Sequence, residues 1–270
     1  HVILAALCAA IIWGLVTWRL GLPSSSSHAV IGGLVGASLV DFMQVGVVNW
    51  FGVWNKVILW LFASPLIGFV AAFLLMNLLF ELLRKVSQYI ANKWFSKLQI
   101  VSASLMAFSH GSNDAQKTMG IITMALVSIT AANPGGGTLP GWMLPSANHP
   151  IPLWVIIACG AVMAAGTSLG GWRIIKTMGV NMIKLNPVGG FAAETAAAAV
   201  IEIASANGIP LSTTHVISAS IMGVGAAKRF SAVRWTVARD LVFAWVVTIP
   251  VAIILGGVID LAVKGILRVI

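Results

Sequence analysis

What most restricts the fold of this chain is a succession of apolar runs of near-bilayer length, broken by short connectors that carry most of its charge. A helix needs about 20 apolar residues to cross the hydrocarbon core, and Val57 to Leu83 meets that requirement outright. Hydrophobic residues make up 59% of the chain and Asp, Glu, Lys and Arg only 9%, against about 25% charged residues in a soluble domain. The chain therefore reads as an all-α, polytopic transmembrane helix bundle of about seven or eight apolar segments. The net charge of +9 acquires meaning through its placement, because Lys and Arg in short loops mark the cytoplasmic side. A nucleic-acid partner is not expected. Cys8 and Cys159 lie in apolar runs without metal-ligand spacing and read as buried free thiols. The chain opens at His1 without Met, and its first run lacks the basic flank of a signal peptide, so an N-terminally truncated, longer protein is expected.

In chain order, Val2 to Trp18 is helical in length, and Gly21-Leu-Pro-Ser-Ser-Ser-Ser-His28 then breaks the pattern, because Pro23 cannot continue a helix and the hydroxyls compete for backbone groups. Ala29 to Val40 comes next; at about 1.5 Å per residue it spans only about 18 Å. A broken segment leading into a short helix predicts a re-entrant hairpin with a tip buried in protein or lining a watery cavity. Asp41 to Lys56, with Trp50 and Trp54, reads as an external interfacial loop, and Val57 to Leu83 as a crossing helix kinked at Pro65. Residues 84–97 carry Arg84, Lys85, Lys93 and Lys97 and form a cytoplasmic connector.

Leu98 to Thr130 is too long for one simple helix and holds a polar centre, Phe108 to Gly120. Asn113 and Asp114 in a lipid-adapted segment are costly unless they meet water, an ion or a substrate. The expectation is two half-helices meeting near that pair. An external loop, Asn133 to Pro152, a crossing helix, Leu153 to Gly171, and a cytoplasmic loop marked by Arg173, Lys176 and Lys184 come next.

From Gly189 the chain repeats itself. Phe191 to Asn207 leads into Gly208-Ile-Pro-Leu-Ser-Thr-Thr-His215, which aligns with Gly21 to His28, and the match extends to Gly36 with Gly223 and Pro65 with Pro250. The segment after the first copy holds one basic residue, whereas Lys228 to Asp240 holds Lys228, Arg229, Arg234 and Arg239. By charge placement the two copies end on opposite faces, which predicts inverted repeats and two re-entrant helical hairpins, a construction of secondary transporters. The expected division is residues 1–83 as the later part of repeat 1, 84–97 as connector and 98–270 as repeat 2.

Ser109-His-Gly-Ser-Asn-Asp-Ala-Gln-Lys-Thr-Met-Gly-Ile121 resembles the signature of the PiT family of inorganic phosphate transporters, especially its bacterial low-affinity branch. The two Gly-x-Pro-x-Ser-x-x-His tips resemble that family's paired hairpin motifs, and Gly190-Phe-Ala-Ala-Glu194 the stretch before the second. The resemblance covers essentially the whole chain. It implies a phosphate symporter driven by Na⁺ or H⁺, with no other cofactor, in the cell membrane. One Asn-Asp motif is present where the family has two, and the partner is expected upstream of His1.

The residues suit that chemistry. Hydroxyls and free N–H groups at a helix start suit an oxyanion, so Ser25, Ser26 and Ser27 at one tip and Ser212, Thr213 and Thr214 at the other are the expected phosphate ligands. Asn113, Asp114 and Gln116 offer oxygens to the coupling cation, with Asn113 and Asp114 as Na⁺ ligands if sodium is used. Lys117 either pairs with Asp114 or contacts phosphate, Glu194 is a candidate for coupling or gating, and His28 and His215 fix the hairpins. The expected partners are inorganic phosphate, free or as a metal-phosphate complex, the lipid bilayer, and a second copy in a homodimer. Two rival classes are an anion channel, without coupling, and an intramembrane hydrolase built on Ser, His110 and Asp114. The duplication of the Ser/Thr-His element argues against the hydrolase, which needs one asymmetric constellation.

Overall fold

A computed structural model describes residues 1–132 and 139–267, all of it helix, turn and loop. In chain order the helices are α1 (Val2–Leu20), α2 (Ser26–Phe42), α3 (Trp50–Val53), α4 (Leu59–Leu82), α5 (Gln88–Ala132), α6 (Leu153–Ser168), α7 (Trp172–Lys176), α8 (Pro187–Ala206), α9 (Thr213–Lys228) and α10 (Trp235–Leu267). Among the described residues, five stretches are long and apolar enough to cross a membrane, or six if α6 and the helical stretch Trp172–Met182 count as one broken span. The helices that come directly after the two tips, α2 and α9, fall short of that length. The contacts divide the chain into one unit of residues 1–109 and 171–270 and another of 110–170.

Within the first unit the packing is exchanged between the two copies of the motif. α2 packs chiefly on α10, and α9 chiefly on α4. Since lipid tails are as apolar as leucine, association there depends on close backbone approach, and glycines supply it. A Cβ on Gly36 would land on the backbone of Ile253 in α10, and one on Gly223 would land on that of Phe69 in α4. Ile253 lies one turn after Pro250 and Phe69 one turn after Pro65. The glycine and proline matches of the sequence thus mark two corresponding helix crossings.

Several expected boundaries shift. α2 begins at Ser26 and α8 at Pro187, because Ser25 and Asn186 cap them. The interfacial loop after α2 is largely ordered: a 3₁₀ turn, Val45–Val47, precedes α3, and a π turn, Trp54–Ile58, carries α3 into α4. The 84–97 connector is mostly the first turns of α5, so Lys93 and Lys97 lie on a helix. The loop from Arg173 to Lys184 contains α7 and a π turn, Thr177–Met182. Of the expected loop Asn133 to Pro152, Asn133 to Thr138 lie outside the described residues.

The larger correction concerns the polar centre, where α5 is helical throughout Phe108 to Gly120. A break would be needed only if the polar side chains lacked local partners, and they have them. His110 Nε2 lies 3.3 Å from Asp114 Oδ2, and Lys117 Nζ donates to Asn113 Oδ1 at 2.6 Å and to Asp114 Oδ1 at 3.3 Å. These i,i+3 and i,i+4 pairs are those a continuous helix presents.

Candidate functional site

The two tips are built alike. Gly21 and Gly208 adopt left-handed backbone, φ 70° and 64°, which a β-carbon disfavours. Ser25 (φ −93°, ψ 112°) and Ser212 (φ −95°, ψ 112°) are the N-caps of α2 and α9. Each hydroxyl accepts from the backbone N–H of the histidine three residues on, at 3.3 Å for His28 and 3.4 Å for His215. Ser25, Ser212 and Thr213 are buried. The two histidines meet, ring centroids 5.1 Å apart, and His215 stacks on Trp245 at 4.3 Å. Trp245 Nε1 in turn donates to the Pro23 carbonyl at 3.2 Å, which ties α10 to the first tip.

A cavity of about 290 Å³ opens beside these tips. Thr17, Ser24, Ser26 and Thr214 supply its hydroxyls, and Trp18 and Ile174 form part of its wall. It has room for a small oxyanion with several waters, each of which takes about 30 Å³. Thr17 Oγ1 and Ser24 Oγ share a hydrogen bond of 2.7 Å, and Arg173 places its guanidinium over Trp18 at 5.4 Å while donating to the Arg19 carbonyl at 2.7 Å. The first turns of both capped helices therefore border one space, through Ser26 on α2 and Thr214 on α9. Of the six predicted hydroxyl residues only these two line it: Ser25 and Ser212 serve as caps, Thr213 is buried, and Ser27 lies outside the lining. Thr17 and Ser24 were not anticipated. The available signal was a threonine in an apolar helix one turn before the break.

Elsewhere in the same unit, Ser102 donates to Glu194 Oε2 at 2.6 Å and Gln99 donates to Oε1 at 3.4 Å. Phe95 meets Phe191 edge-on, and a Cβ on Gly190 would strike the Gln99 amide. Glu194 is thus held by α5. A second polar cluster, also unforeseen, joins the ends of α2 and α10: Asp260 is fully buried 3.4 Å from Lys264 Nζ, which also pairs with Asp41, and His1 Nε2 lies 2.8 Å from Asp41.

In the 110–170 unit, Asn113 is buried, Asp114 is half-buried between His110 and Lys117, and Gln116 is exposed. The helix thus brings Asn113, Asp114 and Lys117 together and leaves Gln116 outward-facing.

These features define a multi-pass helical membrane protein with a hydroxyl-lined cavity at paired helix starts. The sequence matches the phosphate transporter family profile over residues 1–92 and 84–256. It is 44% identical over 257 residues to a "probable low-affinity inorganic phosphate transporter" of Bacillus subtilis, covering 95% of this chain and 73% of that protein. A protein of the same description from Rhizobium meliloti is 47% identical, with 95% and 72% covered. A solved structure described as "the sodium-dependent phosphate transporter" matches with a TM-score of 0.78 at 23% identity, covering 97% of this chain and 78% of that one, and so shares the fold. The chain belongs to the phosphate transporter family. It is a transporter and not an enzyme, and the hydrolase reading falls.

Proposed function

We propose that the protein is a secondary active symporter of inorganic phosphate in the cell membrane, driven by Na⁺ or H⁺, with phosphate held in the cavity between the tips. The observation that carries this reading is the convergence of the α2 and α9 starts on one hydroxyl-lined space. Helix N-termini and hydroxyls are the donors that an oxyanion takes up without a neutralising residue beside it. Ser26 and Thr214 are the first ligands, with Ser24 and Thr17 completing the shell; Ser25, Ser27, Ser212 and Thr213 shape it.

Asn113 and Asp114 form the cation site of this reading. Lys117 supports it, because its ammonium sits against both side-chain oxygens, an arrangement that accepts a positive charge. An arriving Na⁺ would displace that ammonium and release Lys117. Glu194 acts as a gate by joining α5 to α8. Inverted repeats agree with the matching tip geometry and with the exchanged packing of α2 on α10 and α9 on α4. Sodium is the first ion to test, since the structural relative is described as sodium-dependent.

The test is phosphate uptake by reconstituted full-length protein with Na⁺ and pH gradients imposed separately. Accumulation that tracks one gradient supports symport and names the ion. Uptake indifferent to both would replace the symporter by a channel. Repeating the assay with and without divalent metal separates free phosphate from its metal complex, and the mass of the solubilised protein decides between monomer and dimer.

A further inference from the structure

On the outer side of the same unit, α4, α9 and α10 enclose a groove of about 470 Å³ with almost wholly apolar walls. Leu66, Phe69, Val242 and Val246 lie along it. One end carries Arg239 and Trp235, and Trp245 lines it as well. Trp235 stacks on Phe230 at 4.4 Å and its Nε1 donates to the Phe230 carbonyl at 2.9 Å, so this indole is fixed at the head of the groove. Arg239 is largely exposed, and its ion pair there is a 3.5 Å contact with the adjacent Asp240. Lys228 at the end of α9, and Arg229 and Arg234 in the connector that leads into α10, precede it.

We propose that this groove binds one anionic membrane phospholipid, with an acyl chain along α4 and α10, the headgroup phosphate on Arg239, and the tail pressing against Trp245. An aqueous peptide does not suit the site, because Phe62 and Leu66 on its wall and the neighbouring Phe243 are exposed apolar side chains on helices of membrane-crossing length. Charge selects the lipid: basic residues beside an apolar slot, with a tryptophan at the same level, match the headgroup boundary of an anionic leaflet. The site matters because of what Trp245 holds. It stacks on the second-tip histidine and donates to the first-tip backbone, so an occupied groove packs the outer side of the residue that joins the two tips. Leu61 and Pro65 also line the groove. The proposal does not depend on which solute or ion the protein carries.

The experiment is native mass spectrometry of full-length protein released from bilayers of mixed phosphatidylglycerol and phosphatidylcholine. One phosphatidylglycerol should be retained per protomer in preference to phosphatidylcholine. Arg239→Gln should reduce that preference about five-fold, the equivalent of about 1 kcal/mol per basic residue at an anionic surface. Val242→Phe, at a partly outward-facing position, should fill the slot and lower retention of both lipids. The proposal is overturned by equal retention of the two lipids, by binding that never saturates near one, or by retention unchanged in both variants. It is equally overturned if Val242→Phe splits a dimer while lipid retention stays constant, since the occupant is then a second copy.

Discussion

Removing one hydroxyl at each tip distinguishes the roles of adjacent residues. Ser26 and Thr214 line the cavity, whereas Ser25 and Ser212 are buried caps whose oxygens accept from His28 and His215. A hydrogen bond to a charged group contributes about 1.5–3 kcal/mol, equivalent to about 10- to 150-fold in affinity. Because this cavity is open enough to hold water, the lower end applies. Ser26→Ala or Thr214→Ala should therefore raise the phosphate concentration for half-maximal uptake about ten-fold with the maximal rate nearly unchanged, as expected for lost ground-state binding. Ser25→Ala and Ser212→Ala should instead cost about 1 kcal/mol of stability each by loss of a cap, visible as a lower melting temperature in detergent. Initial rates of radiolabelled phosphate uptake in proteoliposomes and thermal melting of the same preparations provide both readouts. The reasoning is refuted if the cap variants alter phosphate affinity while the cavity variants do not.

Asp114→Asn should abolish gradient-driven uptake while the protein still reaches the membrane fraction, measured by uptake alongside membrane-fraction yield. Glu194→Ala removes the carboxylate that accepts from Ser102 and Gln99, leaving the Ser102 hydroxyl only the Gln99 carbonyl at 3.1 Å, and should cost about 1–3 kcal/mol, whereas Glu194→Gln should lose less; thermal melting compares them. Gly223→Leu forces side-chain atoms into the Phe69 backbone, an overpacking that costs at least about 1–3 kcal/mol. Gly120→Leu, where a Cβ meets open space, should melt close to wild type.

The tips were legible in the sequence because their chemistry is local. Gly21 and Gly208 supply left-handed backbone, Pro23 and Pro210 end the preceding run, and Ser25 and Ser212 cap the helices that begin there. The same local rules misjudged the Asn113-Asp114 segment. Polarity and two glycines suggested a break, but Gly111 and Gly120 face open space, and the polar groups are satisfied along one continuous helix. Which hydroxyls line the cavity was not legible either. That depends on the rotation of each helix start about its own axis, set by distant contacts such as Gly36 on Ile253 and Gly223 on Phe69. The Asp41–Lys264–Asp260 cluster stayed hidden for a related reason, since Asp41 lies far along the chain from its partners.

The helix after the first tip lies against α10, the last described helix, and the helix after the second tip lies against α4, from the opening third of the chain. Neither copy of the motif can therefore complete its packing from its own stretch of sequence, because the glycine faces of α2 and α9 find their complements in the other copy. The packing units of this protein are therefore assembled across the sequence and not along it, α2 with α10 and α9 with α4. A chain severed between the copies should regain its structure only when both pieces are made together in the same membrane.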